Sequence, residues 1–343
     1  MSSLTDAAFF SKKAFIWIIL GISFVVALLV FLGIFKNIKN AIFPPAPLPA
    51  TVSFGKLPKI DLKNGFSAKA GVLYDLQTIS GGFENLGDSA KVFSLGYEAS
   101  SFGTTEKMLQ RARAIEFENT PEEISTGVYK FVDTKDPSRK LTIDSISGNF
   151  TMESDYINNQ EIIASHPNDE KGALDAAFDF FENYGISLSD YPEDKIVTKK
   201  MRIDGTKLSE VNSLASANLV RVDFLRQDLD KVPVYWHKDG EAGISALVWG
   251  RKVVFAKANP APILKQKFAS YPLRGADLAF EDLKNGLGFF NKDVNLKQIT
   301  ILKVSLGYVE SANAGDFLQP IYVFEGVDGL KAYVAAVDEK WLQ

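Results

Sequence analysis

Twenty-two consecutive residues without a charge, Ala14 to Phe35 (AFIWIILGISFVVALLVFLGIF), constrain this chain more than any other feature. At about 1.5 Å rise per residue a helix of that length covers about 33 Å, enough for the hydrocarbon core of a bilayer. Lys12 and Lys13 precede the run; Lys36 and Lys39 follow it. A cleaved signal peptide has a shorter apolar core, roughly 7–15 residues, and a small-residue cleavage site behind it. The following KNIKNAIFPP offers no such site. The run reads as an uncleaved transmembrane signal anchor at 14–35, behind a short cytoplasmic tail at 1–13.

Charge gives the orientation. Two lysines flank each side, so the loop asymmetry is small. The tail carries only Asp6 against Lys12, Lys13 and the α-amine, whereas residues beyond 50 hold 34 basic and 41 acidic residues. The expectation is a tail inside and an acidic domain outside a plasma membrane. An acidic domain is not a nucleic-acid binder. Between anchor and domain, FPPAPLPA (Phe43–Ala50) has four prolines in eight residues. Such runs take the extended polyproline form, so 36–50 reads as a semi-rigid linker.

Beyond Thr51 the chain alternates strand-like and helix-like segments. Met108, Leu109, Ala112 and Ile115 mark one amphipathic helix near Thr105–Phe117. Leu174, Ala177, Phe178 and Phe181 mark a second, entered through Asn168 and stopped at Gly185. Ala276, Ala279, Phe280 and Leu283 mark a third, beginning near Arg274. Strands come in runs of two to four between helices, which favours antiparallel meanders over a parallel βαβ sheet. Two openings, KGALDAAF from Lys171 and RGADLAF from Arg274, lead into segments that contain a shared phrase: Pro233-Val234-Tyr235 and Pro320-Ile321-Tyr322. Proline donates nothing to a ladder, so both prolines belong at strand starts or edges. The expected fold is α+β: one transmembrane helix, then antiparallel sheets each covered by a helix, in repeated helix-plus-meander units. The expected division is a β-rich α+β domain at 51–165 and a duplicated domain at 166–343.

Little in the sequence points to catalysis. There is no cysteine, which excludes disulfides, thiolate nucleophiles and Cys-based zinc sites. His166 and His237 are the only histidines, too few for a multi-His metal site. GxGxxG after a strand, GxxxxGK[ST], HExxH and GxSxG are all missing. Asp175, Asp179 and Glu182 share the polar face of the second helix, where solvation accounts for them. No catalytic residue, cofactor or metal is expected. Arg226, in RVDFLRQ, and Tyr235, Trp236 and Tyr322, in the repeated phrases, are the candidate partner-binding residues. A strand with a half-polar face and a Pro-marked edge accepts an added strand from a partner. The same pattern also suits an ordinary two-faced sheet.

From about Asp169 onward the chain resembles the YycI/YycH-type regulators and the wider PepSY-like superfamily. The resemblance is carried by VPVYW before DGEAGIS…WGRKVVF, by Gln319-Pro320-Ile321-Tyr322-Val323-Phe324, and by Tyr333-Val334-Ala335-Ala336. It implies a non-enzymatic protein on the outer membrane face that restrains a membrane sensor or binds an envelope protein, with no catalytic residues to carry over. Gly21, Ser23, Ala27 and Gly33 would offer a partner helix small residues in the anchor. The alternatives are a structural part of an envelope or surface assembly, and a hydrolase working with Asp and Glu alone.

Overall fold

The computed structural model describes residues 21–26, 28–29, 31, 49–60, 66–68, 71–96, 104–238, 241–259, 262–310 and 316–343. The chain forms two compact units, Met1–Leu48 and Pro49–Gln343. In the first, the described positions are helical and exposed, Phe24 and Leu29 among them. The rest of the expected anchor Ala14–Phe35 lies outside the described residues. Among the described residues no helix is long and apolar enough to cross a membrane.

The second unit is a mixed α+β structure, built mostly of strands. Its first strands are β1 (Phe66–Ser67), β2 (Leu73–Leu76) and β3 (Ser89–Leu95), followed by a helix at Thr104–Ala114. Next come β4 (Glu122–Ser125), β5 (Val128–Val132), β6 (Lys140–Asp144) and β7 (Phe150–Glu153). A short helix, Gln160–Ile163, and a long one, Glu170–Tyr184, lead to β8 (Ile196–Asp204), β9 (Lys207–Val211) and β10 (Leu219–Phe224). Then follow β11 (Val234–Trp236), β12 (Ile244–Trp249), β13 (Lys252–Ala258) and β14 (Ile263–Pro272). The last helix, Ala276–Lys284, precedes β15 (Phe289–Phe290), β16 (Gln298–Glu310), β17 (Phe317–Leu318), β18 (Pro320–Gly326) and β19 (Lys331–Ala335).

Three sheets result. A nine-stranded sheet runs β4-β5-β6-β7-β13-β12-β10-β8-β9, antiparallel throughout. A seven-stranded sheet runs β1-β15-β19-β18-β16-β11, with β2 also on β16. A three-stranded sheet runs β14-β3-β17. The expectation of purely antiparallel sheets needs one correction: β11 and β2 both pair with β16 in parallel. Strand alternation decides which face a side chain takes but not which neighbour the strand finds.

The long helix packs through Ala173, Ala177, Phe181 and Tyr184 on the nine-stranded sheet, against Val220, Val222, Phe224, Ile244 and Ala246. Its amino end is capped by Asp169, one residue later than expected: this residue has extended backbone, and its carboxylate accepts from the Gly172 N–H. Its carboxyl end stops at Gly185, at φ 90°, a conformation that glycine adopts without the Cβ penalty. The last helix buries Ala276, Ala279, Phe280 and Leu283, the four residues its spacing marks, against the seven-stranded sheet.

The long helix precedes β8-β10-β12-β13, and the last helix precedes β16-β18-β19. The repeated Pro-Val/Ile-Tyr phrase, however, does not occupy equivalent strands. β11 leaves its own meander and joins the other sheet. Both phrases then flank Tyr308 of β16: Val234 pairs with it from one side and Pro320 from the other, with the two strands running in opposite directions. The Pro233 carbonyl accepts from the Tyr308 N–H at 2.9 Å.

The nine-stranded sheet also crosses residue 165. β7 pairs with β13, so strands from 122–153 and from 196–258 share one sheet and one core. The expected boundary there separates no hydrogen-bonded unit.

Candidate functional site

The four candidate partner residues do not form one surface. Arg226 follows β10, which lies between β8 and β12, and its side chain is only 4% exposed. Tyr322 lies on β18, between β16 and β19, and is buried, with its hydroxyl donating to the Arg274 carbonyl at 2.5 Å. Neither is on an edge, so neither position accepts an added strand. The sequence pattern at both suited an edge and an interior strand equally. Tyr235 and Trp236 do lie on an end strand of their sheet and are half-buried. The Tyr235 ring covers Gly307, where a Cβ would come within 2.8 Å of it.

Arg226 instead centres a buried polar network. Its Nε donates to Glu310 Oε1 at 2.8 Å, Nη1 to Asp190 Oδ2 at 3.0 Å, and Nη2 to the Tyr191 hydroxyl at 2.9 Å. Asp190 Oδ1 also accepts from Lys265 Nζ at 2.6 Å and from Gln227 Nε2 at 3.0 Å. Burial works against the Arg226 charge, but Glu310, Tyr191 and Asp190 together hold its pKa above the ordinary arginine value. Burial likewise opposes the Asp190 carboxylate, yet Lys265 and Arg226 keep it below the usual range. Glu310 is pushed up by burial, against the pull of Arg226. Two carboxylates therefore converge, the arrangement that an Asp/Glu hydrolase requires. The Arg226 guanidinium bonds both of them, and Glu310 is buried.

The outer side of this network is one wall of a cavity of about 400 Å³. Asp190, Tyr191 and Arg226 form that wall; Met108 and Arg111 come from the first helix of this unit; Ile143 to Gly148 come from the β6–β7 turn. Tyr184 to Ser187 close it from the end of the long helix, and Pro262 to Leu264 from the start of β14. Its two acids are both occupied. Asp190 is held as above, and Asp144 accepts from the backbone of Ile146 at 2.9 Å and of Ser147 at 3.2 Å. Arg111 makes no hydrogen bond or ion pair among the described residues, and the Tyr184 hydroxyl is buried without a partner. Arg111 and Tyr184 are separated by 73 positions on two helices, and nothing in their local sequence announces that they line one cavity.

The histidines are apart from this cavity. His166 Nδ1 lies 2.8 Å from the Ala217 carbonyl. His237 is buried beside Trp236, its Nδ1 without a partner. Asp175, Asp179 and Glu182 are exposed, as their helix face requires. Among the described residues no group of three His, Cys, Asp or Glu side chains is placed to hold a metal.

No known family profile matches the chain, and no curated protein sequence matches it. Two solved structures are similar in part. One is an uncharacterized protein from Eubacterium rectale ATCC 33656, 12% identical, with a TM-score of 0.36 over 71% of this chain and 82% of that one. The other is the YpeB C-terminal domain of Bacillus megaterium, 10% identical, with a TM-score of 0.30 over 71% of this chain and 95% of that one.

Proposed function

We propose that this chain is a non-catalytic binding and regulatory module. In this reading it is anchored in a plasma membrane by Ala14–Phe35, with residues 49–343 on the extracytoplasmic side, and modulates a membrane sensor or an envelope protein. The observation that carries the binding part is the cavity between the first helix, the β6–β7 turn and β14. It is concave and partly apolar, its acids are occupied within the fold, and one cation and one buried hydroxyl in its lining lack partners among the described residues. Such a cavity is the default place to look for a ligand. The uncharged run with its flanking lysines supports the anchor, and the sequence resemblance to YycI/YycH-type and PepSY-like proteins supports a regulatory role.

The test is photo-crosslinking in the native cell, with the reactive residue at Ser23 in the anchor and at Leu264, exposed at the cavity. Arg226 and Tyr322 are buried and unsuited to this. The expected result is reproducible capture of one membrane or envelope protein, lost from Ser23 when Ala14–Phe35 is replaced by an unrelated apolar helix. A chain that fractionates away from the membrane and captures nothing from either position overturns the proposal.

A further inference from the structure

We infer that the cavity binds an organic anion, a carboxylate or phosphate carried on an apolar body, through Arg111 and Tyr184. The inference rests on the binding-module reading and names the ligand chemistry.

Charge accounting comes first. Arg226 is bound to Glu310 and Asp190, and Asp144 to backbone N–H groups. Lys107, the third lining cation, is exposed and has a partner of its own. That leaves Arg111 as the lining cation with no hydrogen bond or ion pair among the described residues. Its position is nevertheless defined. The side chain lies along two bare backbones: a Cβ at Gly185 would be 3.7 Å from its Nε, and one at Gly148 3.8 Å from its Nη1. Both glycines have positive φ, +90° and +74°, so the backbone conformation that admits the guanidinium also disfavours side chains there. Gly185 ends the long helix, and a cation beside a helix C-terminus is favoured. This accounts for the charge being tolerated without a carboxylate, but supplies no acceptor for its five N–H groups.

The second observation is independent. The Tyr184 hydroxyl is fully buried and has no acceptor, an arrangement that is costly in a folded protein. Burial raises its pKa far above the usual phenol value, so it stays a neutral donor across the working pH range. Arg111 is near enough to act on it electrostatically. An anionic oxygen seated against Arg111 gives the guanidinium the acceptor it lacks, and a ligand that displaces the lining over the buried Tyr184 hydroxyl satisfies that group as well; charge-assisted bonds of this kind are the strong ones. Met108, Ile143 and Ile263 supply the apolar surface for the ligand's body.

The experiment is isothermal titration of the purified full chain with three probes sharing one apolar body: 4-phenylbutyrate, 4-phenylbutyl phosphate and 4-phenylbutanol. At least one anion should bind roughly tenfold or more tighter than the alcohol. R111M should abolish that discrimination with no loss of thermal stability. Y184F should weaken the anion while raising the melting temperature of the ligand-free chain, because it removes the orphaned hydroxyl. The tighter of the two anions identifies the head group. Equal binding of alcohol and anions overturns the anion site but leaves the cavity as a binding site. Discrimination that survives R111M also overturns the assignment. Binding of none of the three overturns the anion site and removes the cavity's support for the binding module.

Discussion

Arg226 donates to Glu310, Asp190 and Tyr191 at once, so its worth lies in what it prevents as much as in what it forms. Removing one partner of a buried ion pair strands the other, at a cost of about 3–5 kcal/mol. Arg226→Met should lower the unfolding free energy of the full chain by that order, read from the fall in its urea midpoint. The double variant Arg226→Met, Glu310→Gln should recover part of the loss, because no buried carboxylate is then left alone. A single variant as stable as the parent would mean that the network adds nothing to the fold. His237 makes a pH prediction. Burial holds its pKa below the ordinary value; Glu241, Lys257 and Lys238 also act on it, as does the Glu310 backbone. The unfolded chain therefore takes up this proton first. Stability is fully present above the unfolded value of about 6.5 and declines as pH falls below it, towards the lower folded value. His237→Gln should flatten that decline in denaturant titrations between neutral and mildly acid pH. An unchanged slope would assign the decline to other groups.

Among the elements, helices were legible because one face of each is apolar at a 3.6-residue period. Ala276, Ala279, Phe280 and Leu283 are marked by spacing and are the residues buried. The stop at Gly185 was legible because only a few residues suit positive φ. Asn168 and Asp169 are both good caps, so composition alone could not choose between them. Strand partners were the illegible part. β11 carries the same phrase as β18, yet it joins β16 from the opposite side and in the opposite direction. The residue that permits this is Gly307 of β16. A Cβ there would meet Tyr235 at 2.8 Å and Val323 at 2.9 Å. Gly307→Ala should push the Tyr235 ring outward and destabilise the chain by about 1–3 kcal/mol, the usual range for overpacking. Tyrosine fluorescence of a Trp-free background, together with the denaturation midpoint, reports both effects. No change in either would show that β11 accommodates the methyl group and is loosely held. The cavity was illegible for a related reason: Arg111 and Tyr184 come to line one cavity only after two helices pack on one sheet.

At the scale of the whole unit 49–343, chain order and spatial order diverge. Residues 66–95 supply β1, β2 and β3 to the sheets built mainly from 263–335, whereas 122–153 supply β4–β7 to the sheet built mainly from 196–258. The stretch from the first helix of this unit to β13 is thus set between two parts of the rest, and β11 ties it back by pairing with β16. A cut near residue 165 looks harmless from composition, because a turn and a helix cap lie there. In the structure it passes through the nine-stranded sheet. It would strip β7 from β13, exposing the backbone edge of Phe255–Ala258. It would also remove Met108, Ala112, Ile115, Phe117, Phe131, Leu141, Ile143, Phe150 and Met152 from a core whose remaining members face them. An uncovered edge beside an opened core is the usual setting for aggregation. A fragment spanning 166–343 should therefore lack a cooperative thermal transition and give a poorly dispersed amide spectrum, whereas a fragment spanning 49–343 should show both signs of folding. The reverse outcome, a 166–343 fragment that melts cooperatively with a dispersed spectrum, would mean that β8–β13 close on the long helix alone and that β4–β7 are an addition to a finished core.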